Sequence, residues 1–120
     1  MDFSVLIVED DPKIAEIHRH FTEKVGGFTV VGLADSLVDA EKMCELFEPD
    51  LVLLDLYFPE GLGTEILWQI RASRQATDVI LITAAKELKP LQEAMRGGVF
   101  DYILKPVMFS RFKEALESFR

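Results

Sequence analysis

The sequence predicts an α/β domain built on a parallel sheet, and three observations carry that expectation. Short apolar runs recur at Val5–Val8, Leu51–Leu54 and Val79–Ile82 without polar alternation, as strands covered on both faces require. Longer stretches with apolar residues at helical spacing separate them. The two patterns alternate along 120 residues, the length of one domain, and parallel neighbours joined through helices demand right-handed crossovers.

Taken in order, Val5-Leu6-Ile7-Val8 is the first strand and stops at Glu9-Asp10-Asp11-Pro12. Asp11 suits an N-cap and Pro12 the first helical position, where a missing N–H costs nothing. Ile14, Ile17, Phe21 and Val25 mark the core-facing stripe of the first helix, which Gly26-Gly27 ends. Phe28 to Leu33 is the second strand. Ser36 and Asp39 have capping-box spacing before a second helix lined inward by Leu37, Ala40, Met43, Cys44 and Phe47 and stopped by Pro49. Leu51–Leu54 then forms a central strand that ends at Asp55. Pro59, Gly61 and Gly63 favour tight, non-helical backbone before a third helix beginning near Leu62 to Thr64. Leu62, Ile66, Leu67 and Ile70 face inward on it, and Trp68 points nearly opposite. Asp78–Thr83 is the fourth strand, and Glu87 to Arg96 the fourth helix, with Leu88, Leu91, Ala94 and Met95 apolar and Pro90 in its first turn. Asp101–Leu104, the fifth strand, ends in Lys105-Pro106 before a fifth helix from about Ser110 that turns Phe109, Phe112, Leu116 and Phe119 inward.

Composition narrows the chemistry. A net charge of −8 argues against this domain gripping nucleic acid or an anionic membrane, because phosphate binding needs clustered Lys and Arg. The single cysteine, Cys44, permits no internal disulfide and reads as core filler in a reducing, cytoplasmic setting. No apolar run approaches the ~18 residues of a membrane span, and Met1-Asp2-Phe3-Ser4 is not the start of a signal peptide. His18 and His20 have no second cluster of metal ligands nearby and read as surface or boundary residues. No phosphate-cradling GxxxxGK[ST] loop, GxGxxG or serine elbow is present.

In a parallel sheet of this kind the strand ends carrying Glu9 and Asp10, Asp55, Thr83 and Lys105 share one edge. Three carboxylates crowded together repel one another and invite a cation, and oxygen ligands with partial hydration are what Mg²⁺ accepts. Lys105 adds a charge that can steady a phosphoryl oxygen, and the Thr83 hydroxyl can donate to another. The set reads as a phosphoryl-transfer site with Asp55 as nucleophile.

These residues, in Val8-Glu9-Asp10-Asp11, Asp55-Leu56-Tyr57-Phe58-Pro59, Thr83-Ala84-Ala85 and Phe100-Asp101-Tyr102-Ile103-Leu104-Lys105-Pro106, resemble the receiver domain of bacterial two-component response regulators over essentially the whole chain. Asp55 to Gly63 also resembles the citrate- and C4-dicarboxylate-responsive type. The resemblance implies a (βα)5 doubly wound, flavodoxin-like sandwich with strand order 2-1-3-4-5. It implies that Asp55 accepts a phosphoryl group from a sensor histidine kinase. Glu9 (through water), Asp10, Asp55 and the Tyr57 backbone carbonyl would hold Mg²⁺, Lys105 would bind a phosphoryl oxygen, its peptide bond to Pro106 would be cis, and Thr83 with Tyr102 would form a switch pair. A C-terminal DNA-binding output domain and phosphorylation-dependent homodimerisation are implied as well. Tyr57 and Ala85, two residues after Asp55 and Thr83, offer no acid or amide to position water, which implies a long-lived phosphorylated form.

Two other readings compete. A receiver whose chemistry has lapsed would act only as an interaction module, and the intact set Glu9, Asp10, Asp55, Thr83 and Lys105 argues against it. A Mg²⁺-dependent phosphohydrolase with an aspartyl nucleophile wants a second Asp close after the first and a cap insertion. Leu56-Tyr57-Phe58 follows Asp55 instead.

Overall fold

The computed structural model describes residues 2–73, 76–84 and 88–120, without the side chains of Leu88 and Pro90. Five parallel strands form one sheet: β1 (Phe3–Val8), β2 (Phe28–Ala34), β3 (Leu51–Leu54), β4 (Asp78–Thr83) and β5 (Asp101–Leu104), in the order β2-β1-β3-β4-β5. The helices between and after them are α1 (Pro12–Val25), α2 (Leu37–Phe47), α3 (Thr64–Ala72), α4 (Leu88–Arg96) and α5 (Phe109–Phe119). The expected start of α4 at Glu87 lies outside the described residues, as does Ala85.

The unbroken apolar runs have a direct cause: successive strand residues enter two different cores. Leu6, Val8, Val52, Leu54, Val79 and Leu81 pack with residues of α2, α3 and α4. Val5, Ile7, Leu51, Leu53, Ile80, Ile82 and Ile103 pack on the other face with Ala15 of α1 and Phe112, Ala115 and Leu116 of α5. With both faces covered, polar residues of the three inner strands are confined to their ends, as Ser4, Asp78 and Thr83 are.

Helix starts follow their caps. Asp11 accepts from Lys13 N at 2.9 Å and Ile14 N at 3.3 Å, and Pro12 occupies the first turn. Ser36 Oγ accepts from Asp39 N at 3.1 Å. The acidic partner at this terminus is supplied from a distance, because Leu37 N donates to Glu60 Oε2 at 3.1 Å. Glu60 lies in the loop after β3, which folds as a small antiparallel hairpin of Tyr57–Phe58 against Gly61–Leu62. Leu62, expected on the inner face of α3, belongs to that hairpin.

Three other expectations are corrected. The stripe of α1 is rotated: Ala15, His18 and Thr22 are buried, while Ile17 is 50% exposed. His18, expected at the surface or a boundary, is buried with its ring stacked on Phe112 at 6.0 Å, because the small Ala15 lets α1 approach the sheet and brings this side of the helix onto α5. Phe47 and Met95, expected inward, are 40% and 43% exposed; each sits in the last turn of its helix, and Phe47 covers Gly32 of β2 with one ring edge and leaves the rest in solvent. Cys44 is buried as expected, and burial pushes its thiol up to about 11. Trp68 is partly exposed, as its helical phase predicts.

Two consequences can be measured. A Cβ at Gly63 would lie 2.2 Å from the Asp55 carbonyl oxygen, so Gly63→Ala should destabilise the domain by about 3 kcal/mol in urea unfolding and displace the backbone at Asp55. Burial, with the Lys105 charge second, lowers the His18 pKa to about 4 from 6.5. The folded state therefore holds a neutral imidazole. The stability this gives is fully present above pH 6.5 and lost as pH falls toward about 4. At pH ~5 the loss amounts to about 2 kcal/mol relative to pH ~7.5. His18→Gln should remove that component, read as a wild-type minus variant difference that shrinks by this amount on acidification.

Candidate functional site

The site is assembled by backbone bonds between strand ends. Glu9 N donates to Ala34 O of β2 at 2.9 Å, Asp55 N to Val8 O of β1 at 3.0 Å, and Lys105 N to Thr83 O of β4 at 3.0 Å. Each bond ties the first residue past one strand to the last residue of its neighbour. Side chains far apart in sequence are thereby held on one edge by the rigid part of the fold.

Glu9 and Asp55 are buried and Asp10 is exposed, and one ligand oxygen from each lies within 4.8 Å of the others. The Lys105 ammonium donates to Glu9 Oε1 at 2.6 Å and to Asp55 Oδ2 at 2.9 Å. Asp55 Oδ1 accepts from Tyr57 N at 3.3 Å, so both oxygens of this carboxylate are oriented. Glu9 Oε2 accepts from Asp11 N at 3.2 Å.

Burial is the largest influence on Glu9 and pushes its carboxyl up to about 7, against the opposing pull of Lys105 and the Asp11 amide. Burial also opposes the charge on Lys105. Its two carboxylate partners together outweigh that effect, and its pKa is raised.

Of the residues singled out from sequence, Glu9, Asp10, Asp55 and Lys105 meet directly. Thr83 is fully buried at the end of β4, one strand nearer Lys105. Tyr102 is 39% exposed on β5. The parallel register sets Tyr102 beside Leu81 and Leu104 beside Thr83, which puts Tyr102 and Thr83 on the same sheet face, two residues apart along the strands. The Lys105–Pro106 bond is cis, as expected. His18, which sequence reasoning set aside, lines a groove with Ile14, Ile17, Lys105, Pro106 and Val107 beside the site. The only sequence signal for its burial was Ala15, three residues earlier on the same helical face.

Oxygen-only ligands, two of them buried and all within one ion's reach, fit a hard divalent cation such as Mg²⁺. Among the described residues no helix is long and apolar enough to cross a membrane.

Comparison with known proteins agrees with this geometry. The response regulator receiver domain family matches residues 5–117. The chain is 41% identical over 98% of its length to the probable C4-dicarboxylate response regulator DctR of Priestia megaterium. It is 39% identical over 98% of its length to the transcriptional regulatory protein DpiA of Escherichia coli K12. It covers 52% of each relative, so it spans about half the length of the curated relatives it matches. The crystal structure of a LuxR-family DNA-binding response regulator from Staphylococcus aureus superposes with a TM-score of 0.89 at 27% identity, covering 97% of both chains. The strand order, the edge of carboxylates with its bridging lysine, and these matches agree: the chain belongs to the response regulator receiver domain family.

Proposed function

We propose that this receiver domain accepts a phosphoryl group on Asp55 from a phosphohistidine of a sensor histidine kinase. The phosphorylated form then alters the surface of α4, β5 and α5 to control an output domain that binds DNA and regulates transcription. The observation that carries this reading is the bridging of Glu9 and Asp55 by Lys105 at 2.6 and 2.9 Å. A half-buried cation that close to an oriented carboxylate is suited to pass from the carboxylates to an incoming phosphoryl oxygen.

In the transfer, one Asp55 oxygen forms a bond to phosphorus as the donor's P–N bond breaks, and the electron pair leaves on the imidazole nitrogen. The Tyr57 amide and the Lys105 ammonium hold the carboxylate for attack. Glu9 (through water), Asp10, Asp55 and the Tyr57 backbone carbonyl would hold Mg²⁺, which supplies neutralisation of the charge that the phosphoryl dianion brings to three carboxylates. The Thr83 hydroxyl would donate to a second phosphoryl oxygen. Tyr57 has no acid or amide with which to position a hydrolytic water, which supports a long-lived phosphorylated form.

The route outward runs from Thr83 to Tyr102. Moving the Thr83 hydroxyl toward the phosphoryl group vacates volume on the sheet face that Tyr102 shares. The Tyr102 ring can then exchange an exposed position for a more buried one. Around it, Leu104 and Met108 are 51% and 67% exposed, which suits a surface that changes partners, including a second copy after phosphorylation.

Incubation with acetyl phosphate and Mg²⁺ should add one phosphoryl group by intact mass. Asp55→Asn or removal of Mg²⁺ with chelator should abolish the gain, and full labelling of Asp55→Asn would refute the assignment. Thr83→Ala should retain at least about half of the labelling but lose the phosphorylation-dependent change in self-association measured by sedimentation. An unchanged association response in Thr83→Ala would mean that the signal leaves the site by other residues.

A further inference from the structure

Helices α2 and α3 leave an open groove of about 510 Å³ between them, lined by Leu37, Val38 and Glu41 of α2, Glu60 of the hairpin, and Glu65 and Trp68 of α3. Its charge is one-sided. Glu41, Glu60 and Glu65 line it without a lysine or arginine, and Glu45 stands beside it, accepting from Gln69 Nε2 across the two helices at 3.5 Å. Among the described residues the ion pairs of the outer surface lie on α1 and α5 or join α5 to β5, with Arg19, Arg111 and Arg120 neutralising the acids there. The four glutamates of the groove take part in none of them. Among the described residues three glutamates on the groove and a fourth beside it thus gather on one concave surface without an ion pair.

The groove also exposes apolar surface on both walls, with Val38 58% and Trp68 45% exposed. The indole is a held ring: its six-membered edge abuts Gly97, where an added Cβ would lie 2.7 Å from Cζ3. The acidic rim is ordered too, since Glu60 Oε2 is engaged by Leu37 N at 3.1 Å. A surface with its aromatic anchor and one of its acids already in place loses little entropy on binding.

We propose that the α2–α3 groove docks a basic amphipathic polypeptide segment of a partner protein. An apolar side chain would seat between Val38 and Trp68, with lysine or arginine side chains reaching Glu41, Glu60 and Glu65. Arginine suits the site best, because its guanidinium can pair with a glutamate and stack on Trp68. Nucleic acid and acidic segments are repelled by the rim. A second copy bound through the same groove is disfavoured, because a two-fold contact sets these glutamates against their own counterparts. The proposal is independent of phosphorylation at Asp55.

The test uses a fluorescein-labelled synthetic helix of leucine and arginine, and a leucine–glutamate peptide of the same pattern, in anisotropy titrations against the purified chain. The arginine peptide should bind and the glutamate peptide should not. Glu41→Lys combined with Glu65→Lys should weaken binding about tenfold. Glu23→Lys combined with Glu117→Lys, on α1 and α5, makes the same change in net charge and should weaken it no more than about twofold. All four side chains are exposed, so both double variants should keep the wild-type melting temperature within a few degrees. Equal losses in the two variants would reduce the effect to diffuse attraction and overturn the proposal, as would equal binding of the two peptides. Concentration-dependent self-association abolished by the Glu41 and Glu65 substitutions would assign the groove to a second copy, and would also overturn it.

Discussion

The structure turns on one half-buried ammonium group. Lys105 lies between Glu9 and Asp55, with Asp10 close by, at an edge where burial penalises the charges of Glu9 and Lys105. The balance is visible in the two opposite outcomes. At Glu9 burial wins over a 2.6 Å contact to a cation, and the carboxyl is pushed up to about 7. At Lys105 two carboxylates outweigh burial and hold the proton. Three acids and one lysine leave the cluster short of positive charge whenever all are ionised. That shortage favours a proton on Glu9 or a divalent cation, and a phosphoryl group increases the demand.

Such a cluster is tolerable only because the scaffold does not yield to it. Its members follow strands whose last residues are locked by backbone bonds, Ala34 to Glu9, Val8 to Asp55 and Thr83 to Lys105. The approach of Gly63 to the Asp55 carbonyl closes the other side, where no side chain could fit. Like charges can be held together when the strands carrying them are fixed by cores on both faces of the sheet.

This division explains what could be read from sequence. Strand cores were legible because burial on both faces leaves unbroken apolar runs, and the site was legible because its residues stand where those runs stop. His18 and Ile17 were misplaced because a residue's phase on a helix depends on which neighbour the helix leans on. Ala15 decides that through its size, which no hydrophobic count registers. The Glu60 contact to the first turn of α2 was hidden for a different reason: it joins residues 23 apart through a hairpin of two-residue strands, too short to leave an alternating pattern. The α2–α3 groove was equally silent, since Glu41, Glu60 and Glu65 become one surface only after two helices and a loop have packed.

The unequal anchoring of the helices bears on how a local charge change could reach the surface. Helices α1, α2, α3 and α5 each bury three or four side chains. Among the described side chains of α4 only Ala94 is buried, with Leu91 partly so. Burial of apolar area is what resists displacement, at about 25 cal/mol per Å², and the described side chains of α4 supply less of it than those of the other helices. It also borders the sheet face onto which Thr83 and Tyr102 project, and β5 is an edge strand with Leu104 exposed. Between the rigid carboxylate edge and α4 stands β4, whose last residue is Thr83. A perturbation at Asp55 meets firmly held neighbours in β1 and β3, and on the side of β4 the strand-end residue is Thr83.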